Sequence, residues 1–241
     1  MLKIEHLTKH YKGSNKGVSD LSLHIAPGDI YAFIGHNGAG KTTTLKCVAG
    51  IQDFDAGAIQ IDGNDIRKTP LACKRLFAYI PNNPDLYEYL TGIQYLNFTA
   101  DIFGIGAWER EERIKEYGEA FEITASLGDL ISTYSHGMKQ KLALLSAFVH
   151  RPKLLILDEP FVGLDPKAAV ILKDTMRAIC AGGGAIFFST HVLDVAQKLC
   201  NKVAIIKDGT LVASGNMEEI VKQGQSLESI FMEVVEHVEA N

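Results

Sequence analysis

The chain has 241 residues, 46% of them hydrophobic, and its 24 Lys and Arg against 29 Asp and Glu give a net charge of −5. This apolar content suffices for a core, which excludes general disorder. The mild acidity disfavours nucleic-acid binding, so no nucleic-acid partner is expected. The longest apolar runs fall far short of the ~18 residues of a membrane span, and the first residues lack a signal-peptide pattern.

The predicted elements begin with short strands in which apolar residues alternate with polar ones. Residues 21–25 and 58–62 show this pattern, which indicates half-buried antiparallel strands. Three nearly continuous apolar runs, at 30–34, 154–157 and 185–188, are typical of strands buried on both faces. Each run is followed by a loop and a helical pattern, so the sequence predicts an α/β fold with a mainly parallel sheet.

The middle and the end of the chain follow other patterns. From about Tyr87 to His150 the sequence is helical, and we interpret this stretch as a lobe inserted into the α/β core. Near the end, two apolar runs flank Asp208-Gly209, a dipeptide that predicts a β-hairpin. The four cysteines lack C-x-x-C spacing, and we expect reduced, packed thiols in a cytosolic protein.

A glycine-rich motif over residues 35–42 fits G-x-x-x-x-G-K-[ST] in full. It follows an apolar strand pattern, 29–34, and precedes a helical one, 42–49. Glycines let backbone N–H groups converge on phosphate oxygens, and a helix N-terminus favours anions. Lys41 would reach the β- and γ-phosphates, and Thr42 would place its hydroxyl on Mg²⁺. The motif therefore predicts a nucleotide phosphate site.

Two carboxylates, Asp158 and Glu159, follow the apolar run at 154–157. Ligands bind beyond the carboxyl ends of parallel strands, so both should face the edge that carries the glycine-rich motif. Asp158 would hold Mg²⁺, and Glu159 would polarise an attacking water, which suits ATP hydrolysis. A lone Asp-Glu pair is more often a solvated turn, but the preceding buried-type run favours the functional interpretation.

His191 follows the apolar run at 185–188 and should end a third strand at the same edge. An imidazole there could hydrogen-bond the γ-phosphate or the attacking water. We interpret the histidines at positions 6, 10, 24, 150 and 237 as surface or packing residues. The sequence thus predicts Glu159 and His191 as the catalytic pair.

In order, the glycine-rich motif, the Asp-Glu pair and Ser-Thr-His191 resemble the nucleotide-binding subunit of ABC transporters over residues 2–225. Residues 134–140 stand where that family has its signature, usually Leu-Ser-Gly-Gly-Gln, and 163–166 resemble its D-loop. The resemblance implies a P-loop NTPase core with an N-terminal antiparallel β portion and the inserted helical lobe. It also implies that Tyr11 stacks on adenine and that Asp165 communicates across a dimer.

The resemblance also implies roles for the remaining site residues of this sequence. The implied phosphate-binding residues are Gly35, His36, Asn37, Gly38, Ala39, Gly40, Lys41, Thr42 and Thr43. The implied signature residues, which contact ATP bound to the partner subunit, are Ser135, His136, Gly137 and Met138. From the residues alone, Ser135-x-Gly137 favours an ordinary helix N-cap, and only the rest of the pattern favours a signature.

Three departures from the family pattern stand out. Asn82 replaces a common Gln that helps to hold Mg²⁺, and its side chain is one methylene shorter. His136 replaces a signature glycine, and Tyr134 replaces the preceding Leu. The run Gly-Met-Lys-Gln resembles single-domain exporter ATPases of the ABC-2-like type.

The segment after Asn82 lies where the family forms a groove for its membrane partner. Leu86, Tyr87 and Tyr89 are therefore candidate partner-surface residues, with packing between lobe and core as the alternative.

The resemblance implies an ATP-binding and ATP-hydrolysing subunit of an ABC transporter, with ATP and Mg²⁺ as cofactors. Two copies, or this chain and a similar subunit, would close around two ATP molecules and drive a separate membrane permease, with export expected. The expected location is the cytoplasmic face of the cell membrane.

We predict one domain over 2–230, with the lobe at about 87–150, and a tail at 231–241. The alternative is a soluble ABC-type ATPase clamp; a P-loop kinase or GTPase is disfavoured.

Overall fold

A computed structural model describes residues 1–13, 16–221 and 224–237. The strands are β1 (Leu2–His10), β2 (Gly17–Ile25), β3 (Ile30–Ile34), β4 (Ala56–Ile61), β5 (Asn64–Asp65), β6 (Phe77–Ile80), β7 (Leu154–Asp158), β8 (Ala185–Thr190), β9 (Lys202–Lys207) and β10 (Thr210–Asn216). The α-helices are α1 (Lys41–Val48), α2 (Pro70–Lys74), α3 (Gly92–Ile102), α4 (Ala107–Ala120), α5 (His136–Val149), α6 (Pro166–Ala181), α7 (Leu193–Leu199), α8 (Met217–Ile220) and α9 (Leu227–His237). None of these helices is long and apolar enough to cross a membrane.

The smaller sheet is antiparallel, with strand order β2-β1-β4-β5. In β2, Leu21, Leu23 and Ile25 are buried while Ser22 and His24 are exposed. This alternation places one face of the sheet on the core and the other in solvent, as the sequence pattern predicts.

The larger sheet has six strands in the order β10-β9-β3-β8-β7-β6, and every pair except β10–β9 is parallel. Every residue of β3, β7 and β8 is buried, because the sheet is covered on both faces. The predicted α/β fold with a mainly parallel sheet and an antiparallel β portion is confirmed. The carboxyl ends of β3, β7 and β8 meet at one edge.

Apolar side chains cover both faces of the larger sheet. Tyr31 and Phe33 of β3 belong to a cluster shared with the antiparallel sheet and α1. Ala32 and Ile34 point to the opposite face, where they join a cluster that includes residues of α3, α4, α5 and α6. Successive residues of a strand alternate between faces, so one short strand anchors both halves of the core.

The first helix of the predicted helical stretch begins at Gly92, later than residue 87. The Thr91 hydroxyl accepts a hydrogen bond from Gln94 N at 3.3 Å, and Thr91 N donates to Gln94 Oε1 at 2.9 Å. This reciprocal capping box satisfies two backbone groups and fixes the helix start. Residues 87–91 therefore belong to the loop after β6.

The predicted hairpin joins β9 to β10 through Asp208-Gly209, whose φ angles are 47° and 78°. Positive φ at both central residues is the reason that Asp-Gly favours such a turn. Gly209 N donates to Ala39 O at 2.9 Å, and Gly209 O accepts from Ser19 N at 2.8 Å. The hairpin tip thus joins the glycine-rich loop to the antiparallel sheet.

Candidate functional site

The glycine-rich loop runs from the end of β3 to the start of α1, in the predicted strand–loop–helix context. Gly40 precedes the helix with a φ of 109°, in the left-handed region that favours glycine. A Cβ on Gly35 would lie 2.4 Å from the backbone oxygen of Ile206, so this position has no room for a side chain. The loop geometry thus depends on both glycines.

Lys41 is almost fully buried beneath this loop. Its Nζ donates to Gly35 O at 2.6 Å and to His36 O at 3.3 Å, and lies 3.7 Å from Glu159 Oε1. Burial lowers the pKa of Lys41, and the charges of Glu159 and Asp158 offset part of this shift. The loop therefore surrounds a cation that faces two carboxylates.

The Asp158 carboxylate at the end of β7 joins three elements of the site. Thr42 Oγ1 donates to Asp158 Oδ2 at 2.7 Å, and Ser189 Oγ on β8 donates to Asp158 Oδ1 at 2.5 Å. Hydroxyl and carboxylate oxygens are ligands that suit Mg²⁺, which is usually held by one or two carboxylates together with substrate phosphates. The described residues hold no cluster of three or more His, Cys, Asp or Glu side chains that could hold a metal ion.

Glu159 directly follows β7 and has a φ of 51°, an uncommon backbone conformation for a residue other than glycine. Its Oε2 lies 2.9 Å from His191 Nδ1 and accepts a hydrogen bond from His191 N at 3.3 Å. The carboxylate is largely buried, whereas the imidazole is more than half exposed. Carboxylate and imidazole therefore form a hydrogen-bonded pair just beyond the carboxyl ends of β7 and β8.

A cavity of about 580 Å³ opens at this edge. Its lining includes most of the glycine-rich loop together with Asp158 and Glu159, and also Asn82 and Asn83. Tyr11 stands at the rim, 38% exposed, with its hydroxyl 3.3 Å from Thr43 Oγ1. The structure brings most of the predicted residues of one subunit around this cavity, but Gly35, Ala39 and His191 are not part of its described lining.

The signature segment, residues 134–140, contributes nothing to the described lining of this cavity. Ser135 is the N-cap of α5 and its Oγ accepts a hydrogen bond from Met138 N at 3.3 Å. Asp165 caps α6 by accepting from Ala168 N at 2.8 Å, and its other oxygen lies 2.6 Å from Lys141 Nζ. Within one chain these residues cap helices.

The signature segment and the D-loop contact each other. A Cβ on Gly137 would lie 2.7 Å from Gly163 O, and a Cβ on Gly163 would lie 2.6 Å from the His136 ring. The His136 side chain therefore lies against the D-loop backbone. Any movement of one segment must be accommodated by the other.

Ser189, which was not predicted from the sequence, donates a hydrogen bond to Asp158 and accepts one from Glu159 N at 3.1 Å. A small polar residue at the end of a buried strand was the available signal. Of the two alternatives left open for Leu86, the structure favours packing, since Leu86 is 8% exposed and belongs to the core, while Tyr87 and Tyr89 are 46% and 75% exposed. The loop folds back so that Leu86 meets the helical segment.

Replacing Ser189 by Ala should destabilise the protein by about 2 kcal/mol, because a buried hydrogen bond to a charged carboxylate is lost. Urea unfolding of both proteins measures this difference. Ser22→Ala is the matched control, since the Ser22 hydroxyl accepts a hydrogen bond from His6 N in an exposed position. Equal stabilities of the two variants would contradict the structural role of Ser189.

Comparisons with known proteins agree with this geometry. The ABC transporter family model matches residues 18–162. EcsA of Bacillus subtilis (strain 168), an ABC-type transporter ATP-binding protein, is 33% identical over 238 residues, 97% of this chain and 96% of EcsA. A solved ATP-binding subunit of an ABC transporter is 35% identical with a TM-score of 0.92, covering 97% of this chain and 99% of that one.

A second solved structure is CbiO1 from Clostridium perfringens, part of the ABC transporter complex CbiONQ. It is 26% identical with a TM-score of 0.76, covering 91% of this chain and 89% of CbiO1. The chain belongs to the ABC transporter family. Within that family it is a nucleotide-binding subunit and an ATPase, so these two predictions from the sequence are confirmed.

Proposed function

We propose that this chain binds Mg²⁺ and ATP at the cavity described above and hydrolyses ATP to drive a separate membrane permease. The observation that carries the proposal is the convergence of Lys41, Thr42, Asp158, Glu159 and His191 at one edge of the parallel sheet. An ammonium, a hydroxyl, two carboxylates and an imidazole are the groups that phosphoryl transfer to water requires.

The glycine-rich loop would hold the phosphates through backbone N–H groups and the N-terminus of α1. The proposed phosphate-binding residues are Gly35, His36, Asn37, Gly38, Ala39, Gly40, Lys41, Thr42 and Thr43. Lys41 now donates to carbonyl oxygens of the loop, and a bound phosphate would offer it stronger, charged acceptors. Tyr11 at the rim would stack on the adenine.

Thr42 and Asp158 would hold Mg²⁺, because their oxygens lie 2.7 Å apart and face the cavity. Asn82 lines the same cavity and would contribute its amide oxygen through water. The cation would neutralise charge that develops on the phosphates during transfer. Lys41 and the backbone of the loop would position the phosphate chain beside it.

Glu159 would act as the general base for the attacking water. Its Oε2 faces His191 and its Oε1 faces Lys41, so the carboxylate is held in one orientation. The exposed imidazole of His191 would hydrogen-bond the γ-phosphate or the attacking water. Together they would place the water for in-line attack.

Replacing His191 by Ala should slow hydrolysis by about 10²-fold while ATP binding is retained, because Glu159 loses the side chain that orients it. Phosphate release under saturating ATP and a separate binding titration measure the two effects. His24→Ala removes an exposed imidazole on β2 and should leave both quantities unchanged. Unaltered turnover of the His191 variant would exclude a catalytic role for this residue.

Ser135, His136, Gly137 and Met138 would contact ATP bound to a partner subunit, a second copy or a similar chain. The support is that α5 begins there with its N-terminus outside the cavity of its own chain, and such a terminus favours phosphate. Asp165, joined to α5 through Lys141, would communicate between the two ATP sites.

A groove of about 480 Å³ between β6 and the helices α3 and α5 would receive the permease. Its lining is largely apolar and includes Leu86 and Tyr95, and the exposed Tyr87 and Tyr89 lie in the adjoining loop. The signature segment resembles that of ABC-2-like exporters. On this ground we propose that the chain belongs to that subgroup and that the direction of transport is export. We propose the cytoplasmic face of the membrane as its location.

The proposal includes one domain over 2–230, with the lobe at about 87–150, and a tail at 231–241. The boundary at 230 falls within α9, and residues 238–241 lie outside the described residues.

The test is co-purification from detergent-solubilised native membranes with a tag on this chain. A hydrophobic multi-span partner at near one-to-one ratio supports a transporter subunit. Recovery of ribosomes or nucleic acid instead, with no membrane partner, contradicts it and favours the soluble clamp. Lys41→Met is a useful comparison, since losing ATP binding should not remove a partner held in the groove.

A further inference from the structure

The hydroxyl of Tyr79 is a buried polar group without a hydrogen-bond partner among the described residues. Tyr79 belongs to β6, at the edge of the parallel sheet. Buried hydroxyls are nearly always paired, so an unpaired one calls for an explanation. One explanation is that its partner arrives with a ligand.

Tyr79 lies between two cavities. It lines the 580 Å³ cavity together with Thr42 and Asp158, and it also lines the apolar groove of 480 Å³. Its neighbour Pro81 likewise lines both cavities, and Asn82 follows directly in the wall of the nucleotide cavity. A single strand end therefore connects the nucleotide cavity to the proposed permease site.

The Tyr79 phenol stays protonated in this environment and can donate a hydrogen bond. Burial raises the pKa of Tyr79, and the negative charge of Asp158 raises it further. The phenol thus keeps its proton at physiological pH. Its ring packs against the cluster shared by α1 and the antiparallel sheet, so the side chain is fixed.

We propose that Tyr79 is a positioning residue whose hydroxyl donates a hydrogen bond to an oxygen of the Mg²⁺–ATP group held by Thr42 and Asp158. The hydroxyl thereby makes the segment after β6, residues 81–86, responsive to the presence of the charged nucleotide. This inference rests on the proposed function, because it requires Mg²⁺–ATP in the cavity.

Tyr79→Phe removes only the hydroxyl and keeps the packed ring. We expect the affinity for ATP at saturating Mg²⁺ to fall about threefold to tenfold, the effect of one hydrogen bond. The affinity for ATP in EDTA should change by less than about twofold. Without Mg²⁺, Thr42 and Asp158 no longer hold the nucleotide beside Tyr79, so the hydroxyl has no hydrogen bond to lose. Titration of a fluorescent ATP analogue under both conditions measures the difference.

Tyr117→Phe is the matched control, because Tyr117 is a partly buried tyrosine of α4 that lines neither the described nucleotide cavity nor the groove. Its affinity should equal that of the unmodified protein under both conditions. Equal Mg²⁺–ATP affinities of Tyr79→Phe and the unmodified protein would overturn the inference, as would an equal loss with and without Mg²⁺. If the unmodified protein itself fails to bind Mg²⁺–ATP, the proposed function fails instead.

A second measurement needs no variant. Hydrogen exchange of residues 81–86 in the unmodified protein should slow with Mg²⁺–ATP and change far less with ATP in EDTA. Identical exchange under the two conditions, while binding is saturated in both, would overturn the link between nucleotide and groove.

Discussion

Glu159→Gln should slow ATP hydrolysis by about 10² to 10⁴-fold, because an amide cannot accept the proton of the attacking water. The amide keeps the size of the side chain and a contact to His191, which lies 2.9 Å from the carboxylate. ATP binding should therefore persist. With hydrolysis blocked, the ATP-bound dimer should accumulate. Phosphate release and light scattering with added ATP measure the two effects.

The control for this variant is Glu5→Gln. Glu5 is a partly exposed carboxylate paired with Lys3 at 2.7 Å, on the antiparallel sheet. Its replacement should leave turnover and oligomeric state unchanged. Normal turnover of Glu159→Gln would remove Glu159 as the base, whatever the behaviour of the dimer.

Lys41→Met should weaken ATP binding by about 10 to 10²-fold and reduce hydrolysis accordingly. The variant loses a charged hydrogen-bond donor to the phosphates, and such bonds contribute about 1.5–3 kcal/mol each. It also loses the two hydrogen bonds from Nζ to Gly35 O and His36 O that hold the loop. A titration with ATP at saturating Mg²⁺ measures the affinity.

Lys46→Met provides the comparison for Lys41. Lys46 lines the same cavity from the last turn of α1, so its replacement removes the same charge from the same cavity. Only a small loss of affinity is expected, because exposed charges are screened. Similar losses in both variants would show that general positive charge, and not the position of Lys41, governs binding.

Much of the candidate site could be predicted because its residues lie at strand ends. The spacing from Gly35 to Thr42 marks a strand–loop–helix unit, and apolar runs mark the strands that carry Asp158 and His191. Parallel strands then bring their carboxyl ends to one edge, whatever the strand order. Local sequence was therefore sufficient for these residues.

Ser189 could not be predicted in this way, and the sequence could not decide between the two alternatives for Leu86. Ser189 acts on Asp158 because β8 lies beside β7, and strand order is a property of the whole sheet. Leu86 is buried because distant helices cover its loop, although the local sequence is that of an exposed segment. The role proposed for Tyr79 could not be predicted either. It rests on a buried hydroxyl without a hydrogen-bond partner among the described residues, and a sequence does not show this.

The hairpin tip at Asp208-Gly209 limits where this chain can be extended or opened. Surface turns of two residues are usually permissive sites for an inserted tag or for new termini. This turn donates a hydrogen bond to Ala39 O, and a Cβ on Gly209 would lie 2.5 Å from Gly17 O. Even small additions there would displace the glycine-rich loop. By contrast, a Cβ on Gly104 or Gly106 meets open space, so an engineer would place a label between α3 and α4.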